Sequence, residues 1–210
     1  MAQDMTAGRP ARLLLTFSLP ILLGNIFQQL YNMVDSVVVG RGVGVDALSA
    51  VGASGVVYYV ILGFGMGMAE GFAILPAQQY GARDYEKLRK LIGTGALLTA
   101  ITALFMTAGG CFFSKPLLRV MHTPQELLEE ANLYMQILSA GIGITLFYNF
   151  FAAILRAIGD SRTPLLAMIA ASVINVVLDI LFVIVFRMGV SGAAVATLIA
   201  QGFSLFCCLA

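Results

Sequence analysis

The run AMIAASVINVVLDILFVIVF is long and apolar enough to cross a bilayer, yet it carries Asp179, with Asn175 one helical turn ahead. A hydrocarbon core about 30 Å thick asks for roughly 20 apolar residues in a helix. Inside that core every backbone polar group must be satisfied within the chain, so runs of this length fold as helices. An ionised carboxylate there costs about 2.5–3.5 kcal/mol or more, so such a residue faces protein or water and marks a functional site by default. A second acid, Asp35, lies inside another apolar run, LPILLGNIFQQLYNMVDSVVVG. Two embedded acids accompanied by amides point to cation handling inside a helical membrane protein.

Composition agrees. Of 210 residues, 60% are hydrophobic and 11% charged, where a soluble domain carries roughly a quarter charged residues. The net charge of +1 gives no nucleic-acid signal. Cys111, Cys207 and Cys208 sit in apolar runs without metal or disulfide spacing and read as small apolar fillers. The single histidine, His122, falls in a loop. No cofactor motif is present. Gly40-x-Gly-x-Gly follows no strand, so it is not a phosphate loop. Arg9 and Arg12 precede an apolar run too long for a cleavable signal.

Six segments qualify as spans: 13–39, 48–77, 91–113, 131–155, 164–186 and 188–210. Gly40, Gly42 and Gly44 mark the first turn, Gly81 stops the second helix and Asp84 caps the third. Thr123-Pro-Gln-Glu126 has the pattern of a capping box with proline at the first helical position, and Thr163-Pro164 opens the fifth helix in the same way. Lys and Arg set orientation. Arg9, Arg12, Arg83, Lys87, Arg89, Lys90, Arg156 and Arg162 fall on one side, against Arg41, Lys115, Arg119 and Arg187 on the other. This bias places the N-terminus in the cytoplasm of a multi-pass plasma-membrane protein. Asp35 and Asp179 then share a depth in the outer half of the bilayer. Six spans return the chain to its starting side, so a second six-span half in parallel orientation is expected to accompany it.

On the first helix Gln28, Asn32 and Asp35 form one stripe, which lipid cannot satisfy, and Pro20 invites a bend. The same stripe would serve as polar glue between helices. On the fifth, Ser172, Asn175 and Asp179 share a face; on the sixth, Thr197 and Gln201 do; the fourth carries Tyr148 and Asn149. Thr197 is equally suited to bonding back to its own helix. Carboxylate, amide and hydroxyl oxygens are hard ligands suited to Na+, and a desolvated carboxylate is suited to a proton. Glu70, on the second helix, either lines a cavity or snorkels. Gly63, Gly67 and Gly71 form a groove expected to seat another helix closely.

Three stretches, MVDSVVVGRGVGVDALSAVG with the preceding Pro20, GFAILPAQQYGARDYEKLRK, and RAIGDSRTP leading to NVVLDI, resemble the N-terminal half of a multidrug and toxic compound extrusion (MATE) transporter. The resemblance covers nearly the whole chain, 1–210. It implies an all-α polytopic membrane protein, a six-transmembrane-helix bundle that forms the N-lobe of a twelve-helix pseudo-symmetric transporter, with the C-terminal lobe absent from this sequence. It implies export of organic cations and other amphipathic compounds in exchange for H+ or Na+. It assigns the cation site to Asp35, Asn175 and Asp179, with Thr197 and Asn149, and a helix-bending role to Pro20. Gln28, Asn32, Glu70, Tyr148 and Gln201 are the further candidates for the cavity wall.

A lipid-linked oligosaccharide or polysaccharide exporter of the same broader superfamily is the alternative, as is a half-transporter working as a homodimer. No embedded Lys or Arg is expected in the six helices, which disfavours an anionic lipid headgroup. Neither HExxH, nor paired aspartates in a GxGD setting, nor a Ser/His pair occurs, so a membrane enzyme is not the reading.

Overall fold

The computed structural model describes residues 10–210. Arg9 and the side chain of Arg12 lie outside the described residues. The elements are α1 (Pro10–Gly42), α2 (Val45–Gly81), α3 (Tyr85–Val120), α4 (Leu128–Ala140), α5 (Ile142–Ala157), α6 (Arg162–Asp179), a π-helical segment (Ile180–Val185) and α7 (Gly189–Leu209). Among the described residues there is no strand. α2, α3, α6 with its π continuation, and α7 are each long and apolar enough to cross a membrane, and α4 with α5 qualifies as one bent span. The chain is therefore a multi-pass membrane protein. α2 and α3, at 37 and 36 residues, each reach about 55 Å at 1.5 Å per residue, so their ends project beyond the hydrocarbon.

α2 packs along α3, α4 and α5; α6 pairs with α7; α1 closes the bundle against α6. Small residues let these helices approach where side chains must interlock. A Cβ on Gly65 would sit 2.6 Å from Met106 Sδ and 2.9 Å from Leu146 Cδ2, and one on Gly95 would sit 2.7 Å from Phe150. Phe150, Leu146 and Ile142 are fully buried there, and Leu62, Ala69 and Ala73 of α2 pack around them.

The helix ends depart from expectation in three places. α1 runs through Gly40 and Gly42; Gly44 alone turns the chain, at φ 135°, a conformation that requires glycine. Gly40 instead meets Leu48, and Gly42 meets Val183 and Ile184. The Thr123 capping box does not form. Residues 125–127 make a turn, closed by Leu127 N–H donating to the Pro124 carbonyl, and α4 starts only at Leu128, while Thr123 Oγ1 is buried without a partner. At α6 the cap is Asp160: its Oδ1 accepts from the Arg162 and Thr163 amides and its Oδ2 from the Thr163 hydroxyl. Asp84 caps α3 as expected, accepting from the Lys87 amide at 3.1 Å.

The run 131–155 is not one straight helix. It breaks at Gly141 with a 45° bend. Glycine fits here through close approach: a Cβ would stand 2.8 and 2.9 Å from Leu198 Cδ1 and Cγ. The run 164–186 is not uniform either. It changes from α to π geometry immediately after Asp179, and wider turns of this kind occur mostly at functional sites.

The glycine groove is a further correction. A Cβ on Gly63, Gly67 or Gly71 would meet nothing within 4 Å. Among the described residues that face of α2 seats no helix, while α3, α4 and α5 pack against α2 elsewhere.

Candidate functional site

A cavity of about 520 Å³ runs between α1, α2, α4, α5, α6 and α7, and α3 contributes nothing to its wall. The first-helix stripe reaches it whole: Gln28, Asn32 and Asp35 line the wall, with Pro20. Helical spacing of three and four residues explains why, since these positions stack on one face. Asn175, Thr197, Asn149, Tyr148, Gln201 and Glu70 line the same cavity.

Asp179 does not. It is fully enclosed, one turn beyond Asn175 and behind the wall. Asp35 and Asp179 are nevertheless close enough to feel each other's charge. Asn175 Nδ2 donates to Thr197 Oγ1 at 3.4 Å, which ties α6 to α7. Asn149 Nδ2 donates instead to the Thr145 carbonyl of its own helix at 2.8 Å, and the Thr145 hydroxyl donates to Gln201 Oε1. Asn149 and Gln201 thus belong to a hydrogen-bonded layer of α5 and α7 in the cavity wall.

Four oxygens in this region are buried without a hydrogen-bond partner: Asp35 Oδ1, Asn175 Oδ1 and both Oδ atoms of Asp179. Buried polar atoms are normally satisfied, and an orphan carries a penalty of about 1–3 kcal/mol. Four unpartnered acceptors on Asp35, Asn175 and Asp179 suit a bound cation or carboxyl protons. All are hard oxygen ligands, as Na+ requires. Among the described residues no group of three or more His, Cys, Asp or Glu assembles, so this is a carboxylate–amide site.

Sequence reasoning named Tyr148 but missed three other tyrosines. Tyr134 is buried on α4 and lies within electrostatic reach of both Asp35 and Asp179. Tyr58 of α2 shares the cavity, its hydroxyl unpartnered, and Tyr31 faces Gln28 and Gln201. Tyr31 was legible, since it falls inside the stripe between Gln28 and Asn32. Tyr134 was less so, although a buried phenol usually finds a polar partner.

The other omission is Arg156. Expected in a loop, it sits in the last turn of α5, and its side chain lines the cavity 26% exposed. Its Nη2 stands 3.6 Å from Glu70 Oε1, and Glu70 is 56% exposed. Arg156 therefore lines the cavity instead of standing in a loop, and the reason is length: α5 continues to Ala157. Glu70 reaches the cavity wall.

The comparisons with known proteins point one way. The MatE family model matches residues 20–181. The chain is 37% identical over 97% of its length to "Probable multidrug resistance protein YpnP" of Bacillus subtilis (strain 168), of which it covers 46%. It superimposes on "Crystal structure of MATE in the bent conformation" with TM-score 0.88 and 32% identity, covering 96% of this chain and 45% of that one. "Crystal structure of MATE in the straight conformation" gives 0.85 and 34%, with 95% and 44% covered. The chain spans a little under half the length of each. With the family model matched over more than half of its residues, and a fold shared with solved members, the chain belongs to the MatE family.

Proposed function

We propose that this chain is the cation-binding lobe of a secondary antiporter that exports small amphipathic or cationic compounds in exchange for H+ or Na+. The observation that carries the reading is the set of four orphaned oxygens on Asp35, Asn175 and Asp179 beside a cavity of drug size. The relatives' names, which speak of multidrug resistance and of multidrug export, supply the export of drugs. The glycine face of α2, open along Gly63, Gly67 and Gly71, suits a second lobe, as does the chain's coverage of under half of its relatives.

In this reading a cation or proton neutralises the enclosed acid pair and removes the cost of the orphaned carboxylates. An organic cation reaching Asp35 in the cavity wall competes for the same charge. Only one of the two is held at a time, which couples inward ion flow to outward substrate flow. Thr197 holds Asn175 in place from α7. Pro20 leaves α1 free to bend as occupancy changes.

The test is Asp179→Asn in the natural full-length protein, reconstituted in liposomes. The amide keeps the shape and cannot exchange a charge. Efflux driven by a pH or Na+ gradient is expected to vanish with insertion intact; wild-type rates would refute the coupling role. Orientation is tested separately. Cysteines placed by Lys87→Cys and Arg162→Cys should label from the cytoplasm, and one placed by Lys115→Cys from outside. Labelling of all three from one side would refute the topology.

A further inference from the structure

The α5–α6 end of the cavity holds a second charged group that the cation reading does not use. Arg156 is the sole Lys or Arg in the wall among the described residues. Its neighbour Glu70 stands at 3.6 Å, beyond the 2.7–2.9 Å typical of a charge-assisted hydrogen bond. A guanidinium carries five donors in a planar fork, matched to carboxylate or phosphate. Here that fork is three-quarters buried and makes no hydrogen bond to its one acidic neighbour. Glu70 is more than half exposed and hangs from a different helix, so it can swing away without disturbing the wall. Asp160, in the turn between α5 and α6, is committed to capping α6 through three hydrogen bonds. Tyr148 and Ser161 supply polar wall on either side.

We infer that Arg156 is a binding position for an anionic group, a carboxylate or phosphate, on molecules taken into the cavity, with Glu70 as the charge that occupies its neighbourhood when none is bound. The inference rests on the export reading above and names the substrate class: amphiphiles that carry an anion as well as an apolar body. An anion at Arg156 and a cation near Asp35 occupy opposite ends of one cavity, so a zwitterionic molecule satisfies both. Binding releases Glu70 into the cavity mouth, where it offers a carboxylate to any basic substituent.

The experiment uses the full-length protein in nanodiscs and two probes, a rhodamine bearing a free benzoate and its methyl ester. They differ in one negative charge. Equilibrium binding is read by fluorescence anisotropy, so the outcome does not depend on ion coupling. Arg156→Gln is expected to weaken the free acid about tenfold, in line with a lost charged hydrogen bond, and to leave the ester unchanged. Glu70→Gln is expected to tighten the free acid severalfold by removing its competitor. An unchanged acid-to-ester ratio in Arg156→Gln would overturn the assignment. So would equal weakening of both probes, or a Glu70→Gln variant that loses the free acid, since each makes the pair a structural tie. Nanodiscs of phosphatidylglycerol and of phosphatidylcholine separate the sources. Competition by phosphatidylglycerol that disappears in Arg156→Gln identifies a lipid headgroup as the anion; its absence identifies a soluble one.

Discussion

The two ends of the cavity handle charge in opposite ways. At one end Asp179 is fully enclosed and Asp35 nearly so, with three carboxylate oxygens and the Asn175 carbonyl oxygen left without a donor. At the other, Glu70 and Arg156 are both partly exposed and already face each other. The enclosed end is intrinsically costly, because among the described residues no donor meets those oxygens to offset the desolvation of the acids. The open end costs little, since its charges are partly hydrated and mutually screened. In the proposed reading the costly end takes a small cation, with little dependence on its shape. The open end discriminates among larger molecules by the charge they carry.

The largest effects separate these roles. Asp179→Asn should abolish gradient-driven efflux if an exchangeable charge is obligatory, while the preference between free-acid and ester probes survives. Arg156→Gln should alter that preference while efflux still requires the gradient. If either variant changes both readouts equally, the two ends act as one site. Asp179→Leu sharpens the point. An apolar side chain in place of an unpaired buried acid is neutral or stabilising in many proteins, by about 1–4 kcal/mol for ion pairs. This variant should be inactive yet unfold no earlier than the wild type in a thermal scan. A marked loss of stability would mean that Asp179 holds the bundle together.

The next effect tests the wall between the ends. Gly141→Leu places side-chain atoms where Leu198 already stands. Overpacking of this kind costs about 1–3 kcal/mol. The bend between α4 and α5 also sets Tyr134 on one side and Thr145 and Tyr148 on the other against the cavity, so substrate binding should weaken along with stability. A thermal midpoint equal to the wild type's would mean that the bend tolerates a larger residue.

Much of this architecture was legible in the residues. The length of the apolar runs required helices, and the stripe Gln28, Asn32, Asp35 predicted which face of α1 meets the cavity. Asn175 and Thr197 could be put on their helices by spacing, though not joined, because their hydrogen bond depends on how α6 and α7 cross. What stayed hidden was set by contacts distant in sequence. Gly141 reads as one more glycine in a span until Leu198 is placed against it. The π turn after Asp179 has no proline or glycine to announce it. Arg156 was assigned to a loop because charge marks span ends on average, whereas its helix outlasts the apolar run. The glycine groove failed in the other direction: a ridge of small residues shows that close approach is possible, without saying what approaches.

A smaller effect belongs to the loop beside Arg156. Desolvation alone would raise the Asp160 carboxyl, but the hydrogen bonds from Thr163 and from the Arg162 amide outweigh it and hold the group below its ordinary value. A depressed folded value stabilises at pH above the unfolded value, about 3.9, and that contribution is lost as pH falls through the folded value. Asp160→Ala should therefore lower stability by ~1 kcal/mol at neutral pH, and the difference from wild type should disappear in strong acid. A difference that persists at low pH would assign the effect to packing.

The smallest expected effect concerns the bare face of α2. Gly67→Ala adds a methyl group that meets nothing within 4 Å in this chain. Alanine loses less backbone freedom than glycine on entering a helix, by roughly 0.5–1 kcal/mol. For residues 1–210 in detergent the thermal midpoint should therefore hold or rise slightly. In the assembled transporter the same methyl group reports on what packs against this chain. A fall of several degrees there, absent from residues 1–210 alone, would place a closely packed neighbour on the Gly63–Gly67–Gly71 face, as expected if a second lobe seats there. No fall in either would leave that face to lipid, and the cavity would then have to be closed by other residues of α1 and α2.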